Sequence, residues 1–135
     1  MFALLVKIFA TLLVLGVGVL IALQMLERFE NPTNQFPTYE AMEASGLMQA
    51  GWIPKSLPRS ASQISETHNL DTNVIKIAFR YAPGDFGPVA QQCSSIPSED
   101  TQIVFQCRDG TYSFTTNGHG FYTNEPGNLE DPLLE

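Results

Sequence analysis

The chain has 135 residues and a formal net charge of −7 at pH 7, with seven basic and fourteen acidic side chains and two cysteines. Leaving out the almost wholly apolar first 26 residues, what remains is enough for one small domain and leaves no room for a second core. Taking away Lys7 leaves six basic against fourteen acidic side chains, a net charge of −8; such a surface repels phosphate, which excludes nucleic acid and disfavours tight contact with anionic lipid headgroups.

From Phe2 to Leu26 the only charge is Lys7, and the nineteen residues from Ile8 to Leu26 span about 29 Å as a helix, close to the hydrocarbon thickness of a bilayer. Residues 2–26 therefore read as a transmembrane helix partnered by lipid. A cleaved signal peptide is the rival reading, since it too has a short basic start and an apolar run. Its small-residue cleavage pattern is missing from Ala22, Leu23, Gln24, Met25, Leu26 and Glu27, and the run is long for such a segment. With no cysteine near the N-terminus, a lipid-modified anchor is excluded as well. The flanks set the orientation: Lys7 and the N-terminus are positive, whereas Glu27, Arg28 and Glu30 sum to a negative charge, which puts the N-terminus in the cytoplasm and the head outside it. Gly18 and Ala22 make one small-residue pair that would let another helix approach.

Residues 28–37 contain Asn31, Pro32, Asn34 and Pro37 without apolar periodicity and read as a spacer. Thr38 is placed to cap a brief helix through Tyr39, Ala41 and Met42, stopped by Gly46. In the stretch from Gly51 to Asn73, Trp52 and Ile53 supply apolar surface, and Pro54 and Pro58 fix φ and remove donors, so Trp52 to Leu57 is extended or turning. Ser60 sits where an N-cap would be, followed by Ala61, Ser62, Gln63 and Ile64, which predicts a single helical turn with Ile64 pointing inward. Asp71, Thr72 and Asn73 form a polar cluster that reads as a turn starting a strand.

Trp52 to Asn73 carries W-I-P-x-x-L-P-x-S-A-x-x-I and then H-x-x-D-T-N, a pattern that resembles the YbbD head domain, a family of bacterial envelope proteins with one N-terminal transmembrane helix. The resemblance implies a bacterial, membrane-tethered head and brings no catalytic residue with it. Trp52, Pro54, Pro58, Ser60, Ala61, Ile64, His68, Asp71, Thr72 and Asn73 are accordingly motif residues, structural or partner-binding.

Beyond the motif, period-two alternation predicts three strands: Val74 to Tyr81, with Ile75, Ile77, Phe79 and Tyr81 on one face; Gln102 to Cys107, with Ile103, Phe105 and Cys107; and Thr111 to Thr116, with Tyr112 and Phe114. Arg108-Asp109-Gly110 and Asn117-Gly118 are hairpin signals, and Phe121 with Tyr122 offers a fourth strand. Between the first two, Asp85 is placed to cap a short helix through Phe86, Val89, Ala90 and Cys93. The prediction is an α+β protein: a transmembrane helix, then a head whose three- or four-stranded antiparallel sheet is covered on one face by short helices. The boundaries are 1–27 anchor, 28–37 spacer, 38–123 head and 124–135 acidic disordered tail.

For chemistry, His68 and Asp71 are close enough in sequence to form an acid–base pair with Ser60, Ser62 or Ser65 as nucleophile, although no G-x-S-x-G or S-x-x-K context is present. A histidine bonded to a turn carboxylate is the commoner arrangement. His68, His119 and two cysteines fourteen positions apart do not match zinc spacing, and Gly118-His119-Gly120 lies on a hairpin rather than between a strand and a helix; no cofactor is expected. Two cysteines in a non-cytoplasmic head with none left over predict a Cys93–Cys107 disulfide. The leading reading is a non-catalytic, tethered interaction or accessory module of the cell envelope with a protein partner, held in the inner membrane. The alternative is a small envelope hydrolase using His68 and Asp71.

Overall fold

The computed structural model describes residues 1–98 and 101–127. They form two compact units, one of Met1–Pro32 and one of the described residues from Thr33 onward.

The first unit is one helix, α1 (Phe2–Glu30), with no buried side chain along its 29 residues and a mean hydropathy of 2.7 over its most apolar window. It is long and apolar enough to cross a membrane, and hydrocarbon is the medium in which so uniform an apolar surface is stable. Thr11 satisfies its hydroxyl inside the helix by donating to the Lys7 carbonyl at 2.9 Å, as hydroxyl side chains in such helices do. The helix runs three residues into the expected spacer. It stops at Asn31, whose backbone N–H and side-chain amide both donate to the Glu27 carbonyl, because Pro32 has no N–H to continue the ladder.

The second unit is an antiparallel sheet of β1 (Thr33–Thr38), β2 (Ser62–His68), β3 (Ile75–Arg80), β4 (Ser94–Ile96), β5 (Gln102–Gln106), β6 (Thr111–Thr115) and β7 (His119–Thr123), with three short helices, α2 (Tyr39–Ala44), α3 (Leu47–Ala50) and α4 (Val89–Gln92). The spatial order is β1-β2-β3-β7-β6-β5-β4. The class is α+β as expected, but seven strands among the described residues replace three or four. β3, β5 and β6 stand where alternating apolar residues put them, and β7 where Phe121 and Tyr122 offered a fourth strand. β1 falls inside the expected spacer: Phe36 is its one large apolar residue, and Pro37 is tolerated because β1 is an edge strand. β2 overturns the helical turn expected from Ser60 to Ile64. Ile64 does point inward, 1% exposed, but from a strand whose pairing shifts between Ser62 and Ser65, with Gln63 at φ 47°, a bulge.

The register puts Ile64, Glu66, His68, Ile75, Ile77, Phe79, Tyr122, Tyr112, Phe114 and Phe105 on one face. Tyr39 and Met42 of α2, Met48 of α3, Ile53, Leu57 and Ala61 of the irregular segment, and Val89 of α4 complete that core. Phe114 is its hub, edge-on to Phe79, Tyr81, Phe86 and Phe105 at centroid distances of 5.0–6.0 Å and stacked on Tyr112. The second face is also shielded across its middle, where Ala78, Val104, Ser113, Phe121 and Thr123 are buried, which amends the expectation of a single covered face.

Thr38 caps α2 through the Ala41 N–H, and Gly46 follows at φ 82°, a conformation open to glycine at little cost. Asp85 does not cap α4, whose N-cap is Pro88. Its carboxylate instead accepts the Ser60 and Gly87 N–H groups, and hydrogen bonding from Ser60 holds its pKa below the usual range. Residues 128–135 of the expected tail lie outside the described residues, whereas Asn124 accepts from the Ile75 N–H and donates to the Asn73 carbonyl.

Candidate functional site

β2 carries two ionisable side chains on its core-facing side. Glu66 and His68 are two residues apart and so share a face; Glu66 is 0% and His68 5% exposed. A carboxylate taken from water into an apolar core costs several kcal/mol unless it is paired and its oxygens are satisfied. Both oxygens are. Oε1 lies 2.6 Å from His68 Nδ1, and Oε2 accepts from Asn34 Nδ2 at 2.8 Å. Asn34 reaches it because β1 pairs Asn34 directly opposite Glu66. An ionised carboxylate only accepts, so with Glu66 ionised the Nδ1 proton points at it and fixes the ring.

Trp52 closes the cluster. Its ring stacks on the His68 imidazole with centroids 3.9 Å apart and planes 14° from parallel. Among the described residues, no buried side-chain nitrogen or oxygen lacks a partner.

This geometry changes the expected chemistry in one respect: the carboxylate held by His68 is the strand residue Glu66 and not the turn residue Asp71. Asp71, Thr72 and Asn73 belong to the β2–β3 turn, organised by Asn69. Asn69 Oδ1 accepts from the Asp71 N–H, the Thr72 N–H and the Thr72 hydroxyl at 2.7–3.0 Å, and Asn73 takes φ 56°, a left-handed position asparagine tolerates.

The three serines considered as nucleophiles are not gathered around His68. Ser60 Oγ accepts the Ala82 N–H, Ser65 pairs opposite Ala78 and so faces away from Glu66, and Ser62 lies beyond the bulge. An imidazole oriented by a carboxylate is two members of a nucleophilic triad; among the described residues no hydroxyl hydrogen-bonds to it.

The other motif residues build the platform beneath Trp52. Ile53, Leu57, Pro58, Ala61 and Ile64 are buried, and Pro54 is half-buried. Ser56 ties the segment down through its hydroxyl, 2.8 Å from that of Tyr112. Arg59 lies 4.7 Å above the Tyr39 ring. A disulfide joins Cys93, at the end of α4, to Cys107, after β5, with Cα atoms 4.5 Å apart. Among the described residues no three His, Cys, Asp or Glu side chains are grouped to share a metal ion.

Sequence reasoning missed Glu66, Asn34 and Asn69. A signal for the first was present in I-x-E-x-H, residues 64 to 68, which is a period-two face once its two polar members are counted as inward.

Residues 30–80 match the family model of the YbbD head domain. No curated protein and no solved structure matches the chain. The matched span runs from the last residue of α1 to the last residue of β3 and contains the whole Trp52–Asn73 pattern, so the chain resembles the YbbD head domain over β1, α2, α3, β2 and β3.

Proposed function

We propose that this protein is a membrane-tethered interaction module of the bacterial cell envelope, in which α1 is an uncleaved inner-membrane anchor with a cytoplasmic N-terminus and the head is displayed outside to dock a protein partner. The acidic flank of Glu27 and Glu30 after the apolar run, with Lys7 before it, supports this orientation. The observation that carries the reading is where the motif residues are spent. Glu66, His68, Asn34 and Trp52 satisfy one another inside the head, while the recognisable surface lies at the sheet's far corner. There β4 is an edge strand with all three residues exposed, and Ile96 and Ile103 are two of the three large apolar side chains that the described head exposes. An open edge with apolar neighbours is suited to strand addition or side-chain capture by a protein.

A photoreactive side chain at Ser95, in the full chain in native membranes, is expected to give a discrete protein adduct. The same group at Gln35 on the opposite edge is expected to give none. Adducts of equal yield at both positions would overturn the docking corner.

The imidazole–carboxylate contact at 2.6 Å favours one second reading, a small envelope hydrolase in which His68 works with Glu66 in place of Asp71. His68→Gln separates the two. The interaction module predicts a loss of thermal stability with cellular function retained, whereas a folded variant that has lost its function would favour the hydrolase.

A further inference from the structure

From Ala90 to Ser98 a single residue, Cys93, is not exposed. Before it, Val89 is fully buried and holds the start of α4 to the core. After it, Ser94, Ser95 and Ile96 form β4 with no side chain inside. Apolar burial therefore does not keep β4 on the sheet, and the side-chain anchor of this stretch is the bridge to Cys107.

The neighbouring strand is secured differently. β5 buries Val104 and Phe105 and pairs with β6 at each of its residues. Cys107 follows it and donates its N–H to the Gly110 carbonyl, across the β5–β6 hairpin, at 2.8 Å. Backbone groups alternate in direction along a strand, so Gln106 and Val104 turn theirs the other way, toward Ser94 and Ile96, which they oppose. Ser95 is left with its N–H and C=O facing outward, as the open edge. The Cys93 and Cys107 Cα atoms are 4.5 Å apart, the spacing of the next, non-hydrogen-bonded pair in the same ladder.

Opening the bridge therefore has unequal effects on the two strands. β5 keeps its buried side chains and its pairing with β6. β4 keeps only exposed backbone bonds and, beyond it, the Ser98 hydroxyl on the Gln102 carbonyl. A segment held in that way opens locally at low cost, without unfolding the rest. Both cysteines are partly exposed, which puts them within reach of a small thiol.

We propose that the Cys93–Cys107 pair is a redox latch on β4. A dithiol reductant attacks one sulfur, forms a mixed disulfide with it and frees the other cysteine. The second thiol of the reductant then displaces the first cysteine, so the reductant leaves as a disulfide and its two electrons and two protons end on Cys93 and Cys107. Residues 90–98 detach while the remainder of the head stays folded. The consequence for binding rests on the reading of β4 as the docking edge: with the latch open the edge is withdrawn, and a partner is held only under oxidising conditions.

The test is amide hydrogen exchange on the full chain in detergent micelles, with and without dithiothreitol, followed by crosslinking from a photoreactive side chain at Ser95 in native membranes. Reduction is expected to speed exchange over residues 90–98 by about tenfold or more, and over β3 and β7 by less than about twofold. A Cys93→Ser, Cys107→Ser double variant without reductant is expected to exchange like the reduced chain, and to give a Ser95 adduct weaker by about tenfold than the oxidised chain gives. Because that variant needs no reductant, an effect of dithiothreitol on the partner cannot imitate the result. Unchanged exchange over residues 90–98 overturns the latch, and so does equal acceleration of β3 and β7, which would make the bridge a staple of the whole head. Equal adducts from both chains with residues 90–98 loosened overturn its control of docking. No adduct from either chain, with residues 90–98 loosened, overturns the docking corner and leaves the latch standing.

Discussion

The phenols of Tyr81, Tyr112 and Tyr122 all lie in the core, and each sends its hydroxyl out to a polar partner. Tyr81 donates to the Thr115 carbonyl and Tyr122 to the Asp109 carbonyl, both at 2.9 Å, and Tyr112 meets Ser56. Burial raises all three pKa values above the ordinary phenol range, most strongly for Tyr112 and Tyr122. A group whose folded pKa lies above its unfolded one contributes stability that is present below the unfolded value and is lost as pH rises toward the folded one. Unfolding is therefore expected to set in above about pH 10, with tyrosinate absorbance and loss of circular dichroism rising together. Tyrosinate of Tyr112 appearing while the fold is intact would refute it. Gly120 makes a second residue-scale test. It pairs opposite Phe79, whose ring would lie 2.3 Å from a Cβ placed there, so Gly120→Ala should cost about 1–3 kcal/mol by overpacking, read as a lower denaturant midpoint.

At the scale of elements, the Cys93–Cys107 bridge clasps the β4–β5 hairpin at its open end and fastens α4 to the sheet. It spans fourteen positions, and a loop of that size corresponds to about 3 kcal/mol in the chain-entropy model. A Cys93→Ser, Cys107→Ser double variant is expected to lose about that much in urea titrations, and the unsubstituted chain to match it only in reductant.

The strands that could be read beforehand are those whose inward positions are apolar, as in Ile75, Ile77 and Phe79. β2 concealed itself because two of its inward positions are Glu66 and His68, a pattern that makes sense only once Asn34 arrives from β1, 32 residues away. The same holds at the turn. The polar cluster of Asp71 to Asn73 was legible as a turn, but its organiser, Asn69, is recognised by the three donors it collects and not by its type. Ser60 followed by Ala61 and Ser62 has the composition of a helix start; pairing with β1 and β3 overrides that local preference, as tertiary context commonly does.

For the molecule as a whole, the expected topology has a direct readout. A reporter that is active only outside the cytoplasm, fused after Glu135, should be active, because the positive flank precedes α1. Activity of a cytoplasm-specific reporter at that position would remove the oxidising compartment on which a stable disulfide depends.

The strand order has a consequence for how the head is made. β7 is the last of the described strands in chain order, yet it lies in the middle of the sheet, bonded to β3 on one side and β6 on the other. Without His119–Thr123 in place, β3 and β6 would each display unpaired amides and carbonyls on the side that β7 fills. Joining the two halves of the sheet thus waits for β7. A nascent chain halted before residue 119 would carry two adhesive borders in place of one continuous sheet, a ready substrate for proteolytic clearance.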